Sequence, residues 1–353
     1  MKVSVLMSVH NGERFLQESV NSILCQEYDD FELILVDDAS TDDTRGLIRS
    51  YQDPRIVPVF NEKNIGIGAS MCRAYEFAHG QLIAKMDADD ICMPFRLGDQ
   101  IDSLKSTGRS VNLAQAEIFH EGSDGEVCQL WPDRQRSDYE IEWEGLQNQI
   151  YGCHPALMMT REAYEISGGY NPDFPVALDY DLFDRVVAAG YLFSYTKRVG
   201  LRYRRHATQV TTARVAQQES YARKVVSRAL LRLLPTISND DLSGWALLWG
   251  RTPLEGDRGI SSGMRMLAPV ADALAKKNNL AKVPNEIVYD VVFKYGGASR
   301  CPLTLTSTDY LRVLRWGSKE IGLDEAIKAF VRGRRIGAQA FRNPEMLMNS
   351  RFA

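Results

Sequence analysis

The chain has 353 residues, of which 44% are hydrophobic and 25% charged, and a formal net charge of −4. That length allows one sizeable core or two packed units, and the balance excludes a disordered chain and gives no reason to expect a nucleic-acid partner. The charge is uneven: residues 1 to 210 hold 20 Lys+Arg against 33 Asp+Glu, and residues 211 to 353 hold 22 against 13. An acidic part of this kind needs a cation to meet phosphates, while a basic part suits the acidic part itself, an anionic membrane or another anionic partner.

Met1 to Val9 mixes polar residues into a short apolar run and reaches Glu13 and Arg14 at once. Neither a signal peptide nor a spanning helix is expected there, and the chain is expected in the cytoplasm. Val3 to Val9 predicts a strand that breaks at His10-Asn11-Gly12. Phe15, Leu16, Val20, Ile23 and Leu24 recur at helical spacing between Glu13 and Gln26, and Phe31 to Val36 predicts a fully buried strand. Strand, helix and strand in this order imply a βαβ unit and a parallel sheet. Asp37 and Asp38 close the second strand, and Ser40 and Asp43 have capping-box spacing for the next helix. Ligands of open α/β sheets bind beyond the carboxyl ends of strands, so Ser8 to Asn11, Asp38 and Asp87 to Asp90 are expected to gather at one edge. Helix capping is the other account of Asp37 and Asp38. Ile56 to Phe60 predicts a third strand, followed by a polar loop from Asn61 to Gly68 and a helix from Ala69 to Ala78. Gly66-x-Gly68 is no dinucleotide fingerprint, because Met71 occupies the third glycine position.

Gln81 to Met86 predicts a short strand that runs into three carboxylates, Asp87, Asp89 and Asp90. If the backbone stays extended, Asp87 and Asp89 face one side and can converge on one cation. Hard oxygen ligands suit Mg²⁺ or Mn²⁺. A helix-loop-helix calcium site fails, because its sixth and twelfth positions would be Cys92 and Gly98. Asp90 also suits the cap of a helix entered near Pro94, which leaves Asp87 and Asp89 unexplained.

Further on, Phe95 to Leu104 predicts a helix and Val111 to Phe119 a strand. Glu121 to Glu144 is polar and is expected to be loop. His154 suits a turn or packing position. Asp179 and Asp181 open a helix running from Leu182 to Ala189, where acids favour the helix dipole. Arg202 to His206 forms a basic cluster after the strand Leu192 to Tyr195. Tyr221, Val225, Ala229 and Leu233 make an apolar stripe beside Lys224, Arg228 and Arg232, and a second basic cluster holds Lys328, Arg332, Arg334 and Arg335. Such helices either lie on an anionic membrane or pack on the rest of the chain. The six cysteines, Cys25, Cys72, Cys92, Cys128, Cys153 and Cys301, contain no C-x-x-C pair and suit buried free thiols.

Several stretches together carry a resemblance: S-V-L-M-S-V-H-N-G-E (4–13), F-E-L-I-L-V-D-D-A-S-T-D (31–42), N-E-K-N-I-G-I (61–67) and A-K-M-D-A-D-D-I-C-M-P-F-R-L (84–97). They continue in H-P-A-L-M-M-T-R (154–161), G-G-Y (168–170), L-D-Y-D-L-F (178–183) and Y-R-R-H (203–206). In order and spacing the chain resembles the DxD-containing family-2 glycosyltransferases. The resemblance implies an α/β GT-A fold over residues 1–212, a Rossmann-like, mostly parallel sheet flanked by helices. A mostly helical, basic region of unassigned role, 213–353, follows it. It implies inverting, Mn²⁺- or Mg²⁺-dependent transfer from a nucleotide-sugar donor, UDP-linked, to a hydroxyl of a glycan or lipid-linked acceptor in cell-surface polysaccharide synthesis. Carried over by position, Asp179 is the catalytic base, Asp89 and His206 hold the metal, Asp38 meets the base of the nucleotide and Asp87 the ribose side. Ser8, His10, Asn11, Glu13, Asn64 and Arg204 complete the donor site. The loop 121–144 would then lie near the acceptor, or be a variable surface loop anchored by Trp131 and Trp143. His10, Ser8, Cys72 and Leu178 depart from the family pattern, and Leu178 removes an acidic neighbour of Asp179. A nucleotidyltransferase is the alternative enzyme, but Ser8-Val9-His10-Asn11 lacks a glycine-rich triphosphate loop. An inactive sugar-nucleotide-binding partner is the non-enzymatic alternative, and the joint presence of Asp87, Asp89 and Asp179 argues against it.

Overall fold

The computed structural model describes residues 1–122, 127–132, 135–149, 151–207, 209, 214–248 and 260–285, with 287, 288, 291, 316, 317, 325, 326 and 328 beyond. Two compact units divide the chain: Met1–Gln135 with Ile150–Tyr221, and Arg136–Gln149 with Ala222–Ala353.

The first unit is built on β1 (Val3–Val9), β2 (Phe31–Asp37), β3 (Ile56–Phe60) and β4 (Leu82–Lys85), linked by α1 (Leu16–Leu24), α2 (Thr44–Ser50) and α3 (Ile67–Glu76). After β5 (Ile91–Cys92) and α4 (Arg96–Thr107) come β6 (Val111–His120) and β7 (Val127–Trp131). A 3₁₀ turn (His154–Ala156), β8 (Leu157–Thr160), the short helix α5 (Arg161–Ile166), α6 (Leu178–Ala188) and β9 (Phe193–Arg205) complete the unit. The nine described strands form one sheet in the order β3-β2-β1-β4-β8-β6-β9-β5, with β7 paired to β6. Pairing is parallel from β3 to β4 and again between β6 and β9, whereas β8, β7 and β5 run antiparallel to their neighbours. Every residue of β2 is buried, as expected of a parallel strand covered on both faces. Leu16, Val20 and Ile23 of α1 and Leu97, Ile101 and Leu104 of α4 share a core with Val3, Val5 and Met7 of β1 and with Leu33 and Leu35 of β2. Each such side chain contributes about 1.5–3 kcal/mol by leaving water. Gly108, with φ of +65°, ends α4 in a left-handed cap.

Three expectations change. The Ser40/Asp43 capping box does not form, because α2 begins only at Thr44 and Ser40 Oγ accepts the Asn11 N–H instead. Asp90 caps no helix, since α4 starts at Arg96 beyond the short strand β5. The basic cluster Arg202–Arg205 lies within β9 rather than after it.

In the second unit the polar stretch expected as loop contains a helix, α7 (Asp138–Leu146), opened by a true capping box between Ser137 and Glu140. Its Tyr139, Trp143 and Leu146 enter a core with Val226, Leu230, Trp245, Leu267, Val270 and Leu274. Trp245 Nε1 donates to the Leu146 carbonyl at 2.6 Å, and the Tyr139 hydroxyl to the Ala271 carbonyl at 2.8 Å. Trp143 is therefore core, and polarity alone hid a three-residue apolar face. The other helices are α8 (Val215–Leu233, shared between the units), α9 (Asn239–Leu248) and α10 (Ile260–Lys277). Of the second basic cluster, Arg332, Arg334 and Arg335 lie outside the described residues. Among the described residues no helix is long and apolar enough to cross a membrane. Cys92 and Cys153 are buried thiols, Cys72 is half-buried and Cys25 is exposed.

Candidate active site

The loops after β1 and β2 are zipped together at the carboxyl edge of the sheet. His10 Nδ1 donates to the Asp38 carbonyl (2.9 Å), Asn11 Oδ1 accepts from the Thr41 N–H (2.8 Å), and Glu13 Oε2 from the Asp43 N–H (2.9 Å). The zipper holds Asn11 and Ala39 at left-handed φ of 54° and 56°, a strain found where neighbouring structure over-determines the backbone. Asp38 is buried and accepts from Asn61 Nδ2 (2.8 Å), Ile65 N–H (2.9 Å) and Gly66 N–H (2.9 Å). The loop 61–66, including the exposed Asn64, is thus hung from the end of β2. Gly66 needs its φ of +83° to enter α3, and a Cβ on Gly68 would stand 2.7 Å from the Phe174 carbonyl oxygen. The two glycines serve turn and close packing. Asp37 takes another course, accepting from Arg45 Nε at 2.7 Å. Ser8 is half-buried and His10 exposed at the same edge.

Beyond β4 the carboxylate oxygens of Asp87, Asp89 and Asp90 lie within 4.8 Å of one another. The loop is held from three sides. Lys85, buried in the strand, places its ammonium on Asp87 Oδ1 and the Met86 carbonyl. Arg204 donates its main-chain N–H to Asp90 Oδ1 (2.9 Å), its Nε to the Asp89 carbonyl (2.8 Å) and its terminal nitrogen to Glu18. His206 Nε2 donates to Asp89 Oδ2 at 2.9 Å. Burial works to raise the Asp87 carboxyl, but the Lys85 ammonium and further positive charge hold it below the usual range. Asp90 goes the other way: burial, then the charges of Asp89 and Asp87, push it well above that range. Its Oδ2 is buried with no hydrogen-bond partner.

Asp179 sits half-exposed in the first turn of α6, accepting from the Tyr180 N–H at 2.9 Å. Ala177, in a left-handed conformation with φ of 55°, turns the chain into that helix. Asp181, two residues on, is wholly buried and accepts from Arg185 Nε (3.0 Å) and a terminal nitrogen (2.6 Å). The sequence assigned Asp181 only to the helix dipole; its ion pair is the larger role. In the same unit His154 Nε2 and the Tyr170 hydroxyl form a buried pair, 2.8 Å apart. Burial and the Lys85 charge lower His154 to about 3, against the pull of Asp87, so its imidazole is neutral at physiological pH. The Tyr170 phenol is raised by burial and then by charges that include both Asp87 and Asp179.

Ser8, His10, Asn11, Asp38, Asn64 and the acidic loop thus lie at or beyond the carboxyl ends of the parallel strands, while Asp179 is carried on α6. Asn11 and Glu13 spend side-chain bonds on the neighbouring loop, and Arg204 spends its bonds on Asp89 and Glu18. Residues given no site role by the sequence were Lys85, Glu18 and Tyr170, and Asp90 was expected at the edge but with helix capping as its role. A lysine inside an otherwise apolar strand end was a signal for the first, and the G-G-Y stretch contained Tyr170 without marking it. Three clustered hard-oxygen ligands with one orphaned buried carboxylate oxygen fit a divalent cation.

A Rossmann-like sheet with carboxylates at its strand ends, and an aspartate in the first turn of a helix of the same unit, is the architecture of a GT-A domain. Residues 4–166 match the model of glycosyl transferase family 2. An uncharacterized glycosyltransferase of Methanocaldococcus jannaschii is 30% identical over 224 residues, 62% of this chain and 76% of that protein. The putative teichuronic acid biosynthesis glycosyltransferase TuaG of Bacillus subtilis is 35% identical over 163 residues, 45% of this chain and 62% of TuaG. In fold, S. aureus TarS 1-349 in complex with UDP-GlcNAc superposes with a TM-score of 0.55 at 14% identity, covering 98% of this chain and 92% of that one. The chain belongs to glycosyl transferase family 2 and is a glycosyltransferase.

Proposed function

We propose that the enzyme moves a hexosyl group from a UDP-linked donor to a hydroxyl of a glycan or lipid-linked acceptor, inverting the anomeric centre, in cell-surface polysaccharide synthesis. The observation that carries this is the cluster of Asp87, Asp89 and Asp90 at the end of β4, with carboxylate oxygens within 4.8 Å of one another; the buried Tyr170 hydroxyl, bonded to His154, feels the charges of both Asp87 and the candidate base Asp179. The complex of TarS with UDP-GlcNAc supports the donor class, and the teichuronic acid biosynthesis for which TuaG is named supports the polysaccharide setting.

Ser8, His10, Asp38 and Asn64 take the nucleotide base side, with Asn11 and Glu13 shaping that pocket, and Asp87 takes the ribose side. Asp179 accepts the proton of the acceptor hydroxyl as its oxygen attacks the anomeric carbon from the face opposite the diphosphate. Asp89, Asp90 and His206 are the residues that would hold Mn²⁺ or Mg²⁺, which when bound stabilises charge on a departing diphosphate. Arg204 adds positive charge beside them. Release of UDP should follow incubation of the purified chain with Mn²⁺, an acceptor extract and UDP-sugars, but not GDP- or CMP-sugars. Release from the GDP series alone would overturn the donor assignment.

The enzyme works in the cytoplasm at the inner face of the membrane. Lys224, Leu231 and Arg232 are exposed on α8, a basic stripe with an apolar residue in it. Liposome flotation should rise with anionic lipid fraction and fall with salt. Equal flotation on neutral vesicles, or none, would return α8 to a solvated helix face.

A further inference from the structure

Helix α1 meets the acidic loop along one face. Phe15, Glu18, Ser19, Ser22 and Gln26 recur at helical spacing, and each bonds to or stacks on segment 87–97 or the end of β9. The Phe15 ring, at the N-cap, lies 4.8 Å from the Arg204 guanidinium and 4.9 Å from the His206 ring, the two groups that bond Asp89. Glu18 takes the Arg204 guanidinium from below. Ser19 Oγ donates to the Asp87 carbonyl at 2.9 Å. One and two turns further along, Ser22 Oγ accepts from the Cys92 N–H (2.9 Å) and Gln26 bridges the Met93 carbonyl (2.7 Å) and the Leu97 N–H (3.1 Å).

Residues 86–90 belong to no helix or strand, yet they hold three mutually repelling carboxylates within reach of one ion. Beyond the Met86 N–H, which joins Leu6 of β1, the bonds that hold this segment come chiefly from side chains: Lys85, Arg204, His206 and Ser19 of α1. We propose that α1 is the splint that sets the carboxylate cluster, with Phe15 and Ser19 as its positioning residues for a divalent cation. Phe15 orients the two side chains that fix Asp89, and Ser19 fixes the main chain at Asp87. The division of α1 follows: Leu16, Val20 and Ile23 bind it to the core, while the adjoining face shapes the site.

The proposal rests on the cation assignment, and Mn²⁺ alone tests it, by electron paramagnetic resonance of the free ion titrated with the full chain. Groups that orient metal ligands typically change affinity 10- to 100-fold, so Phe15→Leu and Ser19→Ala should each weaken Mn²⁺ binding by about tenfold or more. Phe15→Tyr, which keeps the ring, should restore it. Val20→Ala, buried on the core face of the same helix, should lower the melting temperature and leave Mn²⁺ affinity unchanged. Wild-type affinity in folded Phe15→Leu or Ser19→Ala overturns that residue's assignment. Equal weakening in Val20→Ala overturns the splint, because general loosening would then suffice. A wild-type chain that binds no Mn²⁺ overturns the cation assignment and the splint with it.

Discussion

Asp179→Asn should lower turnover by about 10² to 10⁴-fold while changing donor affinity by less than about tenfold. Asparagine keeps the shape and can still accept from the Tyr180 N–H, so the helix start is preserved. It cannot accept the proton of an attacking hydroxyl, and that loss is felt only in the transition state. Asp181→Asn is the matching control, because Asp181 is buried against Arg185 rather than half-exposed at the site. Removing one partner of a buried ion pair costs about 3–5 kcal/mol; with Arg185 partly in contact with water, about 2–3 kcal/mol is expected. Chemical denaturation should report that loss, with turnover per folded molecule retained. Near-normal transfer by Asp179→Asn, or complete loss in a folded Asp181→Asn, would exchange the two roles.

That contrast marks what the residues themselves disclosed. Period and composition placed β1, β2 and the acidic strand end, because parallel strands buried on both faces read as unbroken apolar runs; α1 was legible from its helical spacing and the half-buried edge strand β3 from its β-branched residues. They also placed Asp38, Asp87, Asp89 and Asp90 at one edge, since strand ends of such sheets converge. They did not separate Asp179 from Asp181, because both satisfy the same dipole argument and only burial distinguishes them. The antiparallel half was harder still. β9 recruits Arg202–Arg205 into a strand, which basic composition disguises, although Arg204 finds an aromatic ring on either side in Phe15 and Phe119. The splint along α1 was hidden for a related reason: Phe15 fits the apolar stripe by period, yet its ring lies on the Arg204 guanidinium and the His206 imidazole.

Asp89→Ala and chelation should each abolish most donor binding. Groups that merely orient ligands cost 10- to 100-fold, so loss of a ligand itself should weaken binding of UDP with Mn²⁺ by at least about 100-fold. The clustered carboxylates repel a diphosphate unless a cation intervenes, and the charges of Lys85 and Arg204 beside them are engaged by Asp87 and Glu18. The pH dependence has a definite sign. Asp90, held well above the usual carboxyl range by burial and by Asp89 and Asp87, keeps a proton in the cation-free cluster at pH values where ordinary carboxyls have lost theirs. A cation must displace that proton, so Mn²⁺ affinity should rise with pH through the raised Asp90 value and level off above it, with proton release on binding below it. Calorimetry with UDP and Mn²⁺ in two buffers of different ionisation enthalpy measures both quantities. UDP affinity that is indifferent to chelator and to Asp89→Ala would remove the cation from donor binding. Asp90→Asn should discriminate further, since it keeps the bond to the Arg204 N–H but has no proton to release, and so should flatten the pH profile.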